Sequence, residues 1–251
     1  MGEENNHVTL QTIGNGDAFG SGGHFQTCFY VHSNRYHFLV DCGATSLVAM
    51  KRFQIPTASI DSILLTHLHG DHFGGIPFFL LDGHFIAQRA HPLSIIGPRG
   101  TQNKVYEAMA LFYPGVDIDK FSYPVQFVEY DGQETFSVGP LEIETFPVSH
   151  AEGSHPHGFR IGFEGKVLAF SGDTSWNDIL YKIADLADIF VCECNFFATK
   201  NDNHIHYQEL IEKTNDINCK KIVLNHLSEE ILSKKDEVKL ALTKEGESIT
   251  V

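Results

Sequence analysis

Apolar and polar residues alternate with the two-residue period of half-buried strands along VTLQTI, TCFYVH and YHFLVDCG, at 8–13, 27–32 and 36–43. Further strands are predicted at SIDSILLTH, LSIIGP, PVQFVEY, LEIETFPVSH, GFRIGFE, KVLAFSGD, DIFVCECN and KKIVLNH. Helical periodicity appears between them, in SLVAMKRFQ (46–54), TQNKVYEAMALF (101–112), WNDILYKIADL (176–186), HYQELIEKTN (206–215) and KKDEVKLALT (234–243). The glycine-rich GNGDAFGSGGH at 14–24 lacks the spacing of a dinucleotide or P-loop fingerprint and reads as a loop between two strands. Helices that follow strands predict a strand-rich α/β chain, and a length of 251 residues with no linker or repeat predicts one domain over 1–251.

Composition narrows the function classes. The formal charge of −14 opposes a polyanionic partner at long range, and no apolar run approaches a membrane span. The polar opening MGEENNHVTL carries no signal-peptide pattern, so a cytoplasmic location is expected. Five cysteines without framework spacing argue against a disulfide scaffold. In VCECNF, alternation puts Cys192 and Cys194 on one apolar face, where they pack.

Candidate chemistry collects where the predicted strands end. THLHGDHFGG supplies His67, His69, Asp71 and His72 within six positions, and Gly70, Gly74 and Gly75 are expected to allow tight turns around them. His150 closes LEIETFPVSH, Asp173 closes KVLAFSGD and His226 closes KKIVLNH. A rigid sheet can aim such strand-end residues at one point. Seven ligands exceed one tetrahedral metal and suit two divalent ions with a shared ligand; zinc is expected first, and manganese or iron accept the same donors. His7, His32, His37, His84 and His91 stand alone and are expected to be structural.

HLHGDH at 67–72, His150, SGDT at 171–174 and NH at 225–226 resemble the successive metal motifs of the metallo-β-lactamase superfamily. With VCECNFF and a further histidine before His226, the sequence is most similar to the ribonuclease Z and phosphodiesterase-like branch. The resemblance implies an α/β four-layer αβ/βα sandwich. It assigns His67, His69 and His150 to one metal, Asp71, His72 and His226 to the second, and Asp173 to a bridge. Two such ions share a hydroxide that serves as nucleophile, with Asp71 a further candidate for holding its proton. Glu193 and His204 match the branch's proton-donating pair, although His206, two residues on, competes for that role. His24, His155 and His157 lie in loops expected to border the site.

The resemblance implies a metal-dependent hydrolase of phosphodiesters. True tRNA-processing enzymes of this branch carry a protruding arm, and nothing between His72 and His150 resembles it. Residues 73–149 hold four basic residues (Arg89, Arg99, Lys104, Lys120) against nine acidic ones. That balance favours small or cyclic nucleotides over tRNA or RNA 3′ ends. The same metals would also serve a carboxylic ester, thioester or lactone hydrolase, or a di-iron redox enzyme. A homodimer is the usual assembly of the branch.

Overall fold

A computed structural model describes residues 7–251; the opening MGEENN, on which part of the leader expectation rests, lies outside them. Two seven-stranded sheets organise the chain. The first contains β1 (Thr9–Gly14), β2 (Cys28–His32), β3 (His37–Val40), β4 (Ser62–Leu64), β5 (Leu93–Pro98) and β6 (Val125–Tyr130). The second contains β7 (Thr135–Val138), β8 (Leu141–Pro147), β9 (His157–Phe163), β10 (Lys166–Phe170), β11 (Ile189–Glu193), β12 (Ile222–Asn225) and β13 (Ala241–Leu242). Strand β14 (Ser248–Thr250) returns to pair antiparallel with β1 and completes the first sheet.

The sheets share a plan. Each begins with antiparallel pairs (β1–β2–β3 and β7–β8–β9–β10) and continues in parallel strands (β3–β4–β5–β6 and β10–β11–β12–β13). Parallel strands need crossovers, and helices supply most of them: α1 (Ser46–Arg52), α2 (Gly70–Phe73), α3 (Ile76–Leu81), α4 (Thr101–Phe112), α5 (Ile179–Ala184), α6 (Tyr207–Lys213) and α7 (Glu229–Ser233).

Three apolar clusters separate four layers. Phe29, Phe38, Leu64, Phe159, Ile161 and Val191 fill the space between the sheets. Met50, Ile63, Phe79 and Val105 join α1, α3 and α4 to the first sheet's outer face. Ile183, Phe190, Leu210 and Ile231 join α5, α6 and α7 to that of the second. Cys192 and Cys194 sit in this last cluster, as their alternation predicts, and Glu193 faces the opposite way. This is the αβ/βα sandwich expected from the sequence. No helix among the described residues is long and apolar enough to cross a membrane.

Two local expectations are corrected. KKDEVKLALT forms a short 3-10 turn (Lys235–Glu237) and then β13 rather than a helix, because Val238, Leu240 and Leu242 recur every second residue and pack against the second sheet's outer cluster. Gly70, Gly74 and Gly75 make no left-handed turn, since Gly70 starts α2 and Gly75 precedes α3 with helical backbone. Gly75 serves close packing: a Cβ there would lie 2.2 Å from the Gly43 carbonyl oxygen.

Candidate metal centre

All of the strand-end residues singled out in the sequence meet at one edge of the sandwich. Strand β4 delivers His67, the following loop His69, and α2 Asp71 and His72; His150 follows β8, Asp173 follows β10 and His226 follows β12. Their donor atoms form two groups, His67–His69–His150 and Asp71–His72–Asp173–His226, each with all atoms within 4.8 Å of one another. In the first, His69 Nδ1 lies 3.2 Å from His67 Nε2 and 3.1 Å from His150 Nε2. In the second, Asp173 Oδ2 lies 3.2 Å from His72 Nε2 and 3.1 Å from His226 Nε2, and Asp71 Oδ2 is 3.3 Å from both nitrogens. Asp173 Oδ2 also approaches His67 Nε2 to 3.8 Å, so one carboxylate oxygen stands between the groups.

The surroundings set the imidazoles for ligation. His150 Nδ1 donates to the Asn203 carbonyl at 2.8 Å, which leaves Nε2 its lone pair. His72 Nδ1 lies 2.8 Å from Asp41 Oδ2, while its Nε2 is buried without a hydrogen-bond partner. An orphaned buried nitrogen facing two carboxylates fits a cation, as does the all-imidazole and carboxylate donor set. Asp41 also accepts from the Thr66 amide and hydroxyl at 2.8 and 3.0 Å, which ties β3 to the loop carrying His67. Both Asp41 and His226 hold left-handed backbone, at φ 62° and 59°, conformations that non-glycine residues keep where the surroundings impose them.

The two groups differ electrostatically. Burial keeps His67, His69 and His150 below the ordinary imidazole range, as neutral ligands. Burial also opposes a charge on His72 and His226, yet Asp173 and Asp71 outweigh it, raising His72 well above its ordinary value and His226 to about 9. Those histidines hold Asp71 and Asp173 ionised against their own desolvation. The second group therefore attracts positive charge strongly, as protons or as a divalent ion.

Glu193, 3% exposed at the end of β11, accepts His204 Nδ1 at 2.9 Å and the Thr174 amide at 2.8 Å. Burial opposes the charge of His204, and the bond to Glu193 overcomes it and raises the imidazole. The His204 ring lies 4.9 Å from that of His150 and stacks at 5.2 Å on that of His226, spanning both groups. His206 instead caps α6, its Nδ1 accepting from the Glu209 amide at 3.3 Å. His155 and His157 line a cleft beside His150, whereas His24 turns to Glu245 at 3.4 Å.

Asp41, Asn195 and Asn203 were not singled out in the sequence. Asp41 ends a buried strand, the signal used for Asp173, and so was findable; the Asn195 amide, 2.9 Å from His226 Nδ1, and the Asn203 carbonyl carry no sequence signal. His32 stacks on both Tyr30 and His37, and His84 stacks on Phe121, in packing roles.

Comparison with known proteins agrees with this architecture. The chain is 24% identical to the ribonuclease Z of Staphylococcus carnosus, over 76% of this chain and 78% of that one. Among solved structures it is similar to the metallo-β-lactamase fold protein YhfI from Bacillus subtilis, with TM-score 0.79 and 19% identity, covering 98% of this chain and 100% of that one. Human tRNase Z, short form, gives TM-score 0.79 and 20% identity, covering 96% of this chain and 98% of that one. At those identities the two structures speak to the fold alone. The family described as Anti-Pycsar protein Apyc1 matches residues 8–249, so the chain belongs to that family, within the ribonuclease Z and phosphodiesterase-like branch of the metallo-β-lactamase superfamily, and is a metal-dependent hydrolase.

Proposed function

We propose that the protein hydrolyses phosphodiester bonds in small or cyclic nucleotides. His67, His69 and His150 would hold one divalent ion and Asp71, His72 and His226 the other, with Asp173 shared. When bound, such a pair neutralises phosphate oxygens and makes a water available as a nucleophile near neutral pH. The chain's own residues do the rest. Asp41, Asn203 and Asn195 orient the ligating imidazoles. Glu193 holds His204 charged and fixed, and His204 protonates the departing alkoxide.

The observation that carries this reading is the His204–Glu193 pair over the metal residues, since an acid there serves a poor leaving group such as a sugar alkoxide. The acid-rich segment 73–149, occupied by α3, β5, α4 and β6 to β8 of the sandwich, supports a small substrate over tRNA. Five unpaired cysteines, four of them buried, support a reducing, cytoplasmic setting.

The test is turnover of bis-p-nitrophenyl phosphate and of 3′,5′-cyclic nucleotides by protein loaded with zinc, manganese or iron, beside Asp173→Ala. Metal-dependent turnover that the variant loses supports the reading. Two bound metals without turnover of either substrate would sink it and turn attention to esters, thioesters and lactones.

A further inference from the structure

His204 rides on a loop, residues 197–205, whose base is closed where the Tyr207 amide donates to the Phe196 carbonyl at 2.8 Å. Residues 198–203 are exposed. The far arm of the loop is fixed by the site itself, through His204 to Glu193 and through the Asn203 carbonyl to His150. The near arm has a different anchor. One carboxylate oxygen of Glu230 accepts from the amides of both Ala198 and Thr199, at 3.0 and 3.2 Å. Among the described residues no other hydrogen bond reaches the backbone of residues 198–202.

Glu230 lies in α7, which begins three residues after His226. This stretch of chain grips the segment between Glu193 and His204 at two further places. The Ser228 hydroxyl donates to the Asn195 carbonyl, and the Ser228 amide does so at 3.3 Å. Lys234 Nζ stands 5.2 Å from the centre of the Phe197 ring, which stacks on Tyr207. Of the three holds, only Glu230 reaches the exposed part of the loop. Burial opposes its charge, and the bonds to Ala198 and Thr199 outweigh it, so an ionised acceptor meets both amides. Such charge-assisted bonds are roughly twice as strong as neutral ones.

We propose that Glu230 is a positioning residue for the reaction: it holds the near arm of the loop so that His204 stands over the metal residues in the geometry that proton transfer requires. It also ties that placement to the segment carrying His226. The proposal rests on the phosphodiester reading and adds to it a residue outside both the proposed metal ligands and the proton-donating pair. Without Glu230, the two contacts of the far arm must order the exposed residues alone, against their conformational entropy. A displacement of about 1 Å at a reacting group can lower a rate on the order of 10²-fold.

The experiment compares metal-loaded wild type with Glu230→Ala and Glu230→Gln, the second retaining an oxygen that accepts from both amides. Hydrogen exchange read by mass spectrometry over residues 196–206 reports on the loop without turnover. Steady-state kinetics sets a 3′,5′-cyclic nucleotide, whose alkoxide needs a proton, against bis-p-nitrophenyl phosphate, whose nitrophenolate does not. Glu230→Ala is expected to speed exchange in that segment severalfold with metal content unchanged. It is expected to lower kcat on the cyclic nucleotide about tenfold to a hundredfold, with KM within about twofold, and to lower turnover of bis-p-nitrophenyl phosphate much less. Glu230→Gln is expected to restore most of the protection and of kcat. Faster exchange in the alanine variant, with no phosphodiester turnover even by the wild type, would keep the clamp and discard the phosphodiester reading. Unchanged exchange, or equal losses on the two substrates, would overturn the positioning role and leave that reading in place.

Discussion

Asp41 touches no proposed metal position, yet it fixes His72 through a 2.8 Å hydrogen bond and holds Thr66 beside His67. Asp41→Asn is expected to weaken metal binding tenfold to a hundredfold, the usual effect of removing such an orienting carboxylate, read by competition with a chelating dye. At His204 the leaving group decides. His204→Ala should lower kcat on a cyclic nucleotide by roughly 10² to 10⁴ but much less on bis-p-nitrophenyl phosphate, whose nitrophenolate departs without a proton. Equal losses on both substrates would show that His204 positions rather than protonates. The types and spacing of His67, His69, Asp71 and His72 were legible because they fall within six positions of the chain. Choosing His204 over His206 was not, because only the fold shows that Glu193 reaches one while α6 uses the other as its cap.

Among the elements, the loop from β4 into α2 and α3 depends on close backbone contact. Gly75 packs where a Cβ would stand 2.2 Å from the Gly43 carbonyl, and a Cβ on Gly43 would stand 2.2 Å from the Asp71 carbonyl. Both neighbours are backbone, so neither can rotate away. Gly75→Ala is therefore expected to destabilise the protein by about 2–3 kcal/mol, measured by urea unfolding, and to lower the bound metal, since the displaced segment carries Asp71 and His72. Longer strands and α4 were legible from periodicity. The short helices α2, α3 and α7 and the strands β7 and β14 were not, because segments of three to six residues show too few periods and form through tertiary contacts. The period-two pattern of Val238, Leu240 and Leu242 was present in the sequence but masked by the helix-favouring lysines and glutamate around it.

Across the whole molecule, the proposed metal residues join both sheets, with His67 and Asp71 from the first and His150, Asp173 and His226 from the second. Metal binding should therefore stabilise the entire sandwich. Chelation is expected to lower Tm, by the equivalent of about 4 kcal/mol where free metal had stood at a thousandfold its dissociation constant, and re-addition should restore it. Acid acts on a different place. Burial lowers the imidazole pKa of His32 and His37, and each other's proximity lowers that of His32 further. In the unfolded chain they take protons near pH 6.5, so their stabilising neutrality is complete above that pH and lost as pH falls through it toward the folded values. Calorimetric scans should show Tm declining from pH 7 to 5.5, and His32→Gln should make the decline shallower.

The sequence by itself determined the chemistry on offer and the element types: candidate ligand types at strand ends, the alternation that packs Cys192 and Cys194 while freeing Glu193, and a strand-rich α/β chain, whose layering only the resemblance of its motifs implied. These are local properties, carried by side-chain type and by periods of two and 3.6 residues. Only the tertiary structure decided which atoms converge. It set Asp173 between two ligand groups, gave Asp41 and Asn203 their orienting roles, separated His204 from His206, and brought Glu230 to the loop that carries His204. Each of these is a contact between segments far apart in the chain, and such distances are fixed by the pairing and stacking of the two sheets.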